Sequence, residues 1–295
     1  MTAPALMLAQ IVSLQAGSAV AKGAYATVGP AALAGMRLAF AAAILWALAR
    51  PRLGKVTAVQ WRAAISLGLV LAAMNLAYFQ AISKLPIGVA ATLELLGPLT
   101  LSIALSRRLE HLAVAVPALV GVLLLASPDS SLSVAGLLLG GAAAVCRAGY
   151  VVLSRRVGRL FPDWTGLTLA LACGACVLTP IAVVTDGGGI QAHPAVLGTG
   201  LLVALLSSLI PYALDMTVLR RIDMRTFGVL LALSPAVAGA VGFILLHEQL
   251  AARQLCAMAL IVLAGAGAVR RAARGAGPAD RRRDRPARAD GRCNG

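Results

Sequence analysis

The sequence predicts an all-α integral membrane protein of ten transmembrane helices, arranged as two inverted five-helix repeats. Three observations predict it: apolar runs of near-spanning length, basic residues gathered in alternate loops, and a faint likeness between the two halves of the chain. Of 295 residues, 60% are hydrophobic and only 13% charged. The mean hydropathy of +0.87 excludes an ordinary soluble domain. A helix needs ~20 apolar residues to cross a bilayer, and such stretches recur here between short polar or basic hinges. In order they cover 6–27, 32–48, 63–82, 87–105, 112–126, 134–154, 165–185, 195–217, 226–246 and 251–269. The fifth is the shortest and carries Pro117, yet removing it would spoil the alternation of loop charge.

That alternation orients the chain, because Lys and Arg in short loops stay on the cytoplasmic side. The loops after spans two, four, six and eight hold Arg50, Arg52, Lys55, Arg62, Arg107, Arg108, Arg155, Arg156, Arg159, Arg220, Arg221 and Arg225. The opposite loops hold Lys84, with Arg253 just inside the tenth span. Both termini are therefore expected in the cytoplasm. The net charge of +15 comes mostly from these loops and the tail, so membrane lipids are the expected charged partners and nucleic acid is not. No basic stretch precedes the first span, which runs directly into a second, so a cleaved signal peptide is not expected. Residues 271–295 lack apolar periodicity and read as a disordered basic cytoplasmic tail. Its Arg residues can hold it against anionic lipid by about 1 kcal/mol each.

The two repeats are expected over 6–126 and 134–270. Laid on one another, "LPIGVAATLELLGPLTLSIAL" and "IDMRTFGVLLALSPAVAGAVG" match Leu85 to Ile222, Ala91 to Gly228 and Pro98 to Pro235. The same offset pairs Asn75 with Tyr212, and a shorter one lays "AKGAY" on "CRAGY", Lys22 on Arg147. Five spans is an odd number, so the second repeat inserts upside down. Inverted halves of this kind enclose a midplane site in many secondary transporters and rock about it.

Within "ATLELLGPL" a single acid, Glu94, sits in an apolar run. A charge at the centre of a span costs at least ~2.5–3.5 kcal/mol on insertion scales, so it is turned inward, paired or functional. Such a carboxyl can take up a proton, and when ionised it can hold an ammonium; one acid serving both by turns is sufficient to couple an antiport. Behind it, Gly97 and Pro98 weaken the helix, since proline removes a backbone donor and leaves carbonyls free to face a wet cavity. Pro211 and Pro235 would do the same in the other half.

The competing reading of Glu94 is a structural ion pair with Lys22 or Arg37. Both cations lie near the outer ends of the first two spans, where they can bind a carboxylate, satisfy an acid or reach headgroups; Arg37 reads as structural. Lys22 and Arg147 are each followed three residues later by a tyrosine, Tyr25 and Tyr150, which places cation and phenol on one helical face. These tyrosines can be gates or interfacial anchors. Asp215 is a candidate second proton site or a group snorkelling to water. Asn75 and Tyr212 are candidate hydrogen-bonding groups for a polar substrate, though helix packing uses the same residues.

Other motifs fail on context. "CGAC" has redox spacing but lies within a span, which favours packing. "HEQLA" lacks the second histidine of a zinc-protease helix, and His247 and Glu248 are expected at the outer surface. "GLLLG", from Gly136 to Gly140, has the spacing of a close helix contact, inside the monomer or in a homo-oligomer. No metal site, cofactor loop, nucleophile elbow or ATP-binding domain is legible, so neither an enzyme nor an ATP-driven pump is expected. Aromatics at 4% are too few for a cage around bulky cations; a small zwitterion fits better.

The stretches "MNLAYFQAISKLP", "GVAATLELLGPLTLSIALSRR" and "SSLIPYALDMTVLRRIDMRTFGVLLALSPAVAGAVGFILLHEQL" resemble the EamA branch of the drug/metabolite transporter superfamily, most nearly its threonine/homoserine exporter type. The likeness covers the ten spans and excludes the tail. It implies a plasma-membrane carrier, in bacteria an inner-membrane one, that exports small amino acids in exchange for protons. Glu94 and Asp215 match carboxylates of the family's fourth and eighth spans. Arg147 stands where the family commonly shows an aromatic, and Ser234 where an acid precedes the proline, so the cavity is shifted toward positive charge. Export of another metabolite or drug, or a non-transporting scaffold, are the alternatives.

Overall fold

The structure is a computed structural model that describes residues 3–51, 53–105, 112–126, 132–161, 163–211, 214 and 232–275, among which there is no strand. The helices are α1 (Ala3–Gly23), α2 (Pro30–Ala49), α3 (Ala58–Ile82), α4 (Ile87–Leu105), α5 (Leu112–Ala126), α6 (Val134–Leu160), α7 (Thr165–Ala192), α8 (Val196–Ala204), α9 (Ser234–Leu246) and α10 (Ala252–Gly275). Five of them, α1, α2, α3, α6 and α7, are long and apolar enough to cross a membrane, and α4, α8, α9 and α10 contribute shorter apolar stretches.

Helix ends follow local chemistry. Thr57 and Gln60 form a reciprocal capping box that starts α3, and Gln60 Nε2 also donates to the Leu160 carbonyl at 2.8 Å, tying that end to α6. Pro30 opens α2, where its missing N–H is no loss. The Gly29 N–H just before it donates to Asp186 Oδ1 at 3.2 Å, setting an acid against the positive end of α2. With Asp186 anchored there, α7 continues to Ala192 instead of stopping near 185. At the other extreme, α1 stops at Gly23, not at 27. The chain then tightens into a turn in which the Tyr25 N–H donates to the Lys22 carbonyl at 3.2 Å. At its far end α10 persists to Gly275, past the expected start of the tail at 271.

Packing pairs α2 with α7, α3 with α6 and α7, α4 with α6 and α9, α1 with α8 and α9, α2 with α8, and α5 with α10. Lipid offers no hydrophobic drive between helices, so close packing of small residues must hold them. Gly68 of α3 and Gly174 of α7 face each other so closely that a methyl on Gly174 would lie 3.0 Å from the Gly68 carbonyl oxygen. A methyl on Gly88 of α4 would lie 2.9 Å from the Cα of Gly239 in α9. The "GLLLG" glycines likewise serve contacts within the chain, Gly136 against Leu85 and Gly140 against Leu93. Leu33, Leu38, Leu67, Leu71, Phe79 and Ile82 are fully buried in the main core. A smaller core of Leu85, Val89, Leu93, Leu125, Met258 and Ile261 joins α4, α5 and α10.

Candidate functional site

Close approach of α4 and α6 creates the site. Leu93 covers Gly140, and Gly97 lies directly on the backbone of Ala144, so Glu94 between them is turned toward α6. One turn on from Ala144 stands Arg147, whose Nη1 is 3.5 Å from Glu94 Oε1. The pair is neither sealed nor free: the Glu94 side chain is 19% exposed and that of Arg147 27%. The Arg147 guanidinium also lies 5.5 Å from the centre of the Tyr150 ring, a cation–π distance. Tyr78 of α3, itself buried, lies beside Ser18 of α1 and within electrostatic range of Glu94, Arg37 and Arg147. Pro98 lies inside α4. Lacking an N–H, it leaves without a helical donor the carbonyl four residues back, which is that of Glu94.

Glu94 therefore pairs with Arg147, not with Lys22 or Arg37. Lys22 turns to the end of the bundle instead. Its Nζ lies 2.6 Å from Glu248 Oε1 and donates to the Leu85 carbonyl at 2.6 Å. The second carboxylate oxygen of Glu248 accepts the Ile87 N–H at 2.9 Å. A left-handed His247 (φ 53) ends α9, and the Glu248 N–H returns to the Gly242 carbonyl at 3.1 Å. Gly242 has no side chain where that carboxylate folds back. One ion pair thus ties the ends of α1 and α9 to the start of α4.

Arg37 serves the backbone. After α8 the helix widens into a π-turn over Leu205–Leu209, just ahead of Pro211. The Ile210 N–H bonds to Leu205, and proline has no N–H, so the carbonyls of Leu206 and Ser207 lose their helical donors. Ser13 Oγ donates to the Leu206 carbonyl at 2.7 Å and Arg37 Nη2 to the Ser207 carbonyl at 2.7 Å. Arg37 Nε adds a bond to Ser208 Oγ at 3.1 Å, and its guanidinium lies 5.6 Å from the Phe79 ring centre.

Tyr25, lying beyond the end of α1, does not share a helical face with Lys22; its hydroxyl donates to the Phe79 carbonyl at 3.1 Å. Arg147 and Tyr150 do share α6. Asn75 is buried, with Nδ2 on the Leu71 carbonyl at 2.8 Å. Pro235 stands in the first turn of α9. Asp215 and Tyr212 lie outside the described residues. Tyr78, Ser18 and Gln15 were not singled out from sequence. Tyr78 is three residues after Asn75, the spacing of one helical face, and that was the available signal. A cavity of about 750 Å³ between α9 and α10 meets these residues only through Glu248. Its apolar lining, with Phe243, Leu255, Met258 and Leu263, suits acyl chains and not a polar substrate.

Apolar helices packed about an internal ion pair define a polytopic helical membrane protein that keeps charge at its centre. The chain belongs to the EamA-like transporter family, whose model matches residues 134–269. The Threonine/homoserine exporter RhtA of Salmonella typhimurium (strain SL1344) is 32% identical over 265 residues, covering 89% of each chain. RhtA of Escherichia coli (strain K12) matches with the same identity and coverage. A solved crystal structure aligns with a TM-score of 0.59 over 93% of this chain and 99% of its own, at 21% identity, a likeness of fold. Such relatives are transporters and not enzymes.

Proposed function

We propose that this chain is an inner-membrane secondary exporter of small amino acids such as threonine and homoserine, working by alternating access and exchanging substrate for protons. The Glu94–Arg147 pair carries the reading. It is a single long contact at 3.5 Å, partly open to water, which a zwitterion can split: ammonium onto Glu94, carboxylate onto Arg147. A proton on Glu94 removes the charge that holds the ammonium. Glu94 then carries either a proton or an amine, never both, which is the exchange rule of an antiporter.

The architecture proposed is ten spans in two inverted repeats, 6–126 and 134–270. Exchanging the first five helices with the last five carries α4·α6 onto α9·α1, α3·α6 onto α8·α1 and α3·α7 onto α8·α2, and leaves α2·α7, α4·α9 and α5·α10 as themselves; all of these pairings occur. That pattern supports the repeat, as does a family match confined to the second half. With both termini cytoplasmic, the Lys22–Glu248 pair closes the outer mouth, Tyr25 acts as a gate, and the basic tail rests on inner-leaflet lipid. Asp215 serves as a second proton site. Tyr212 joins Asn75 in bonding substrate, and Gly97, Pro98, Pro211 and Pro235 are the points where helices give way.

The test is efflux from proteoliposomes loaded with threonine or homoserine under an imposed proton gradient. Native protein is expected to discharge them, and Glu94→Gln to lose at least about ten-fold of the gradient-driven rate. No efflux by native protein, or an unaltered mutant, ends the reading.

A further inference from the structure

Among the described residues three buried side-chain atoms lack any hydrogen-bond partner: Oε1 of Gln10, Oε1 of Gln15 and Oδ1 of Asn75. A buried amide oxygen left unpaired is costly, and each such group calls for an explanation. Gln10 shares the face of α1 that carries Ser13 and Gly17, which is turned to the π-turn before Pro211. Gln15 is placed differently. It is 3% exposed; its Nε2 donates to Ser234 Oγ at the start of α9 at 2.9 Å, and its Oε1 on the other side of the amide has no donor. Spacing of three and four residues sets Gln15, Ser18 and Lys22 along one face of α1. Ser18 on that face meets Tyr78, which in turn lies in the field of Glu94 and Arg147.

We propose that Gln15 is a specificity-determining residue, whose amide oxygen accepts the side-chain hydroxyl of the transported amino acid. The inference rests on the amino-acid export proposed above. Glu94 and Arg147 address the ammonium and carboxylate that every zwitterion has, so they cannot tell one small amino acid from another. A third contact must do so. Gln15 offers an acceptor with no donor of its own, and a hydroxyl supplies that donor where a methyl or a hydrogen does not. A site built around a substrate hydroxyl rejects the analogue that lacks it more strongly than an apolar pocket rejects a change of one methylene. The anchoring bond to Ser234 crosses between α1 and α9 and holds the amide in place.

The experiment compares efflux of threonine with that of 2-aminobutyrate, which is threonine without its hydroxyl, from proteoliposomes bearing native protein, Gln15→Leu or Gln15→Met. Native protein is expected to favour threonine by about ten-fold or more, and both variants to reduce that ratio to about three-fold or less while 2-aminobutyrate efflux stays near native. Each variant loses the bond to Ser234 together with the unpaired buried oxygen, two effects of opposite sign, so melting in detergent is expected to stay within a few degrees of native. A ratio preserved in the variants overturns the proposal, and so does a parallel fall for both substrates or a clear loss of thermal stability. Native export without preference for the hydroxyl overturns this inference and leaves amino-acid export standing. Native protein that moves neither substrate overturns both.

Discussion

Lys22 Nζ lies 2.6 Å from Glu248 Oε1 although 226 residues separate them in the chain. Each is the other's charge partner at the end of the bundle, and both side chains are mostly withdrawn from solvent. The pair therefore falls between the exposed limit, where an ion pair is worth little, and the buried limit, where removing one partner strands the other. Lys22→Met and Glu248→Gln are each expected to cost roughly 2 kcal/mol, read as thermal unfolding in detergent. The exchanged pair, Lys22→Glu with Glu248→Lys, should recover only part of the loss. A lysine at 248 restores opposite charge but cannot accept the Ile87 N–H that Glu248 now accepts. Strictly additive losses in the exchanged protein would show that the two do not interact.

Arg37 and Pro211 form a second coupled pair. The Ser207 carbonyl receives Arg37 because Pro211 cannot donate to it. Arg37→Ala is expected to destabilise the protein by about 2 kcal/mol, the cost of stranding a buried acceptor. The same change in a Pro211→Ala background should cost about half as much, since alanine restores an N–H within reach of that carbonyl. A double-mutant cycle on unfolding midpoints measures the difference, and a coupling of zero would refute the arrangement.

Much of this was legible from residue order because the bilayer imposes one rule on every span. The apolar lengths located the helices, and the cost of a charge in lipid turned Glu94 inward. Its partner was not legible. Arg147 stood out as the repeat mate of Lys22 and as a cation where the family commonly shows an aromatic, but its approach to Glu94 depends on Gly97 lying against Ala144, a fact about which helices are neighbours. Glu248 was read as a surface residue for the same reason, since its bonds reach α1 and α4 across the fold. Tyr25 was misplaced for a local cause: Gly23 is a helix-ending signal, and the pairing with Lys22 assumed that the helix ran on. Pro211 carried the signal of the π-turn four residues upstream, in the carbonyls it leaves unpaired.

Two glycines should respond in opposite directions to the same substitution. At Gly97 an added methyl runs into the Ala144 carbonyl of α6, so Gly97→Ala is expected to destabilise by about 2 kcal/mol as the seam is forced apart. At Gly141, within α6, nothing lies within 4 Å of the added carbon. There Gly141→Ala should stabilise by about 0.5–1 kcal/mol through the lower entropy of the unfolded chain and better helix propensity. Unfolding temperatures of the two variants in one detergent decide the matter, and shifts of the same sign would contradict the packing of α4 on α6.

Arg147 separates binding from architecture. If it takes the substrate carboxylate, its loss weakens substrate binding more than it slows the loaded carrier. Arg147→Gln is expected to raise the substrate concentration for half-maximal efflux about ten-fold, the loss of one charge-assisted contact, with a maximal rate within about three-fold of native. Arg147→Lys keeps a cation over the same helix position without the planar guanidinium, and should fall between the two. A residue that only locks α6 to α4 would behave otherwise. Its removal would lower the maximal rate and the melting temperature together and leave half-saturation unchanged. Efflux measured over a range of internal substrate concentrations, beside a melting curve for each variant, distinguishes the two roles.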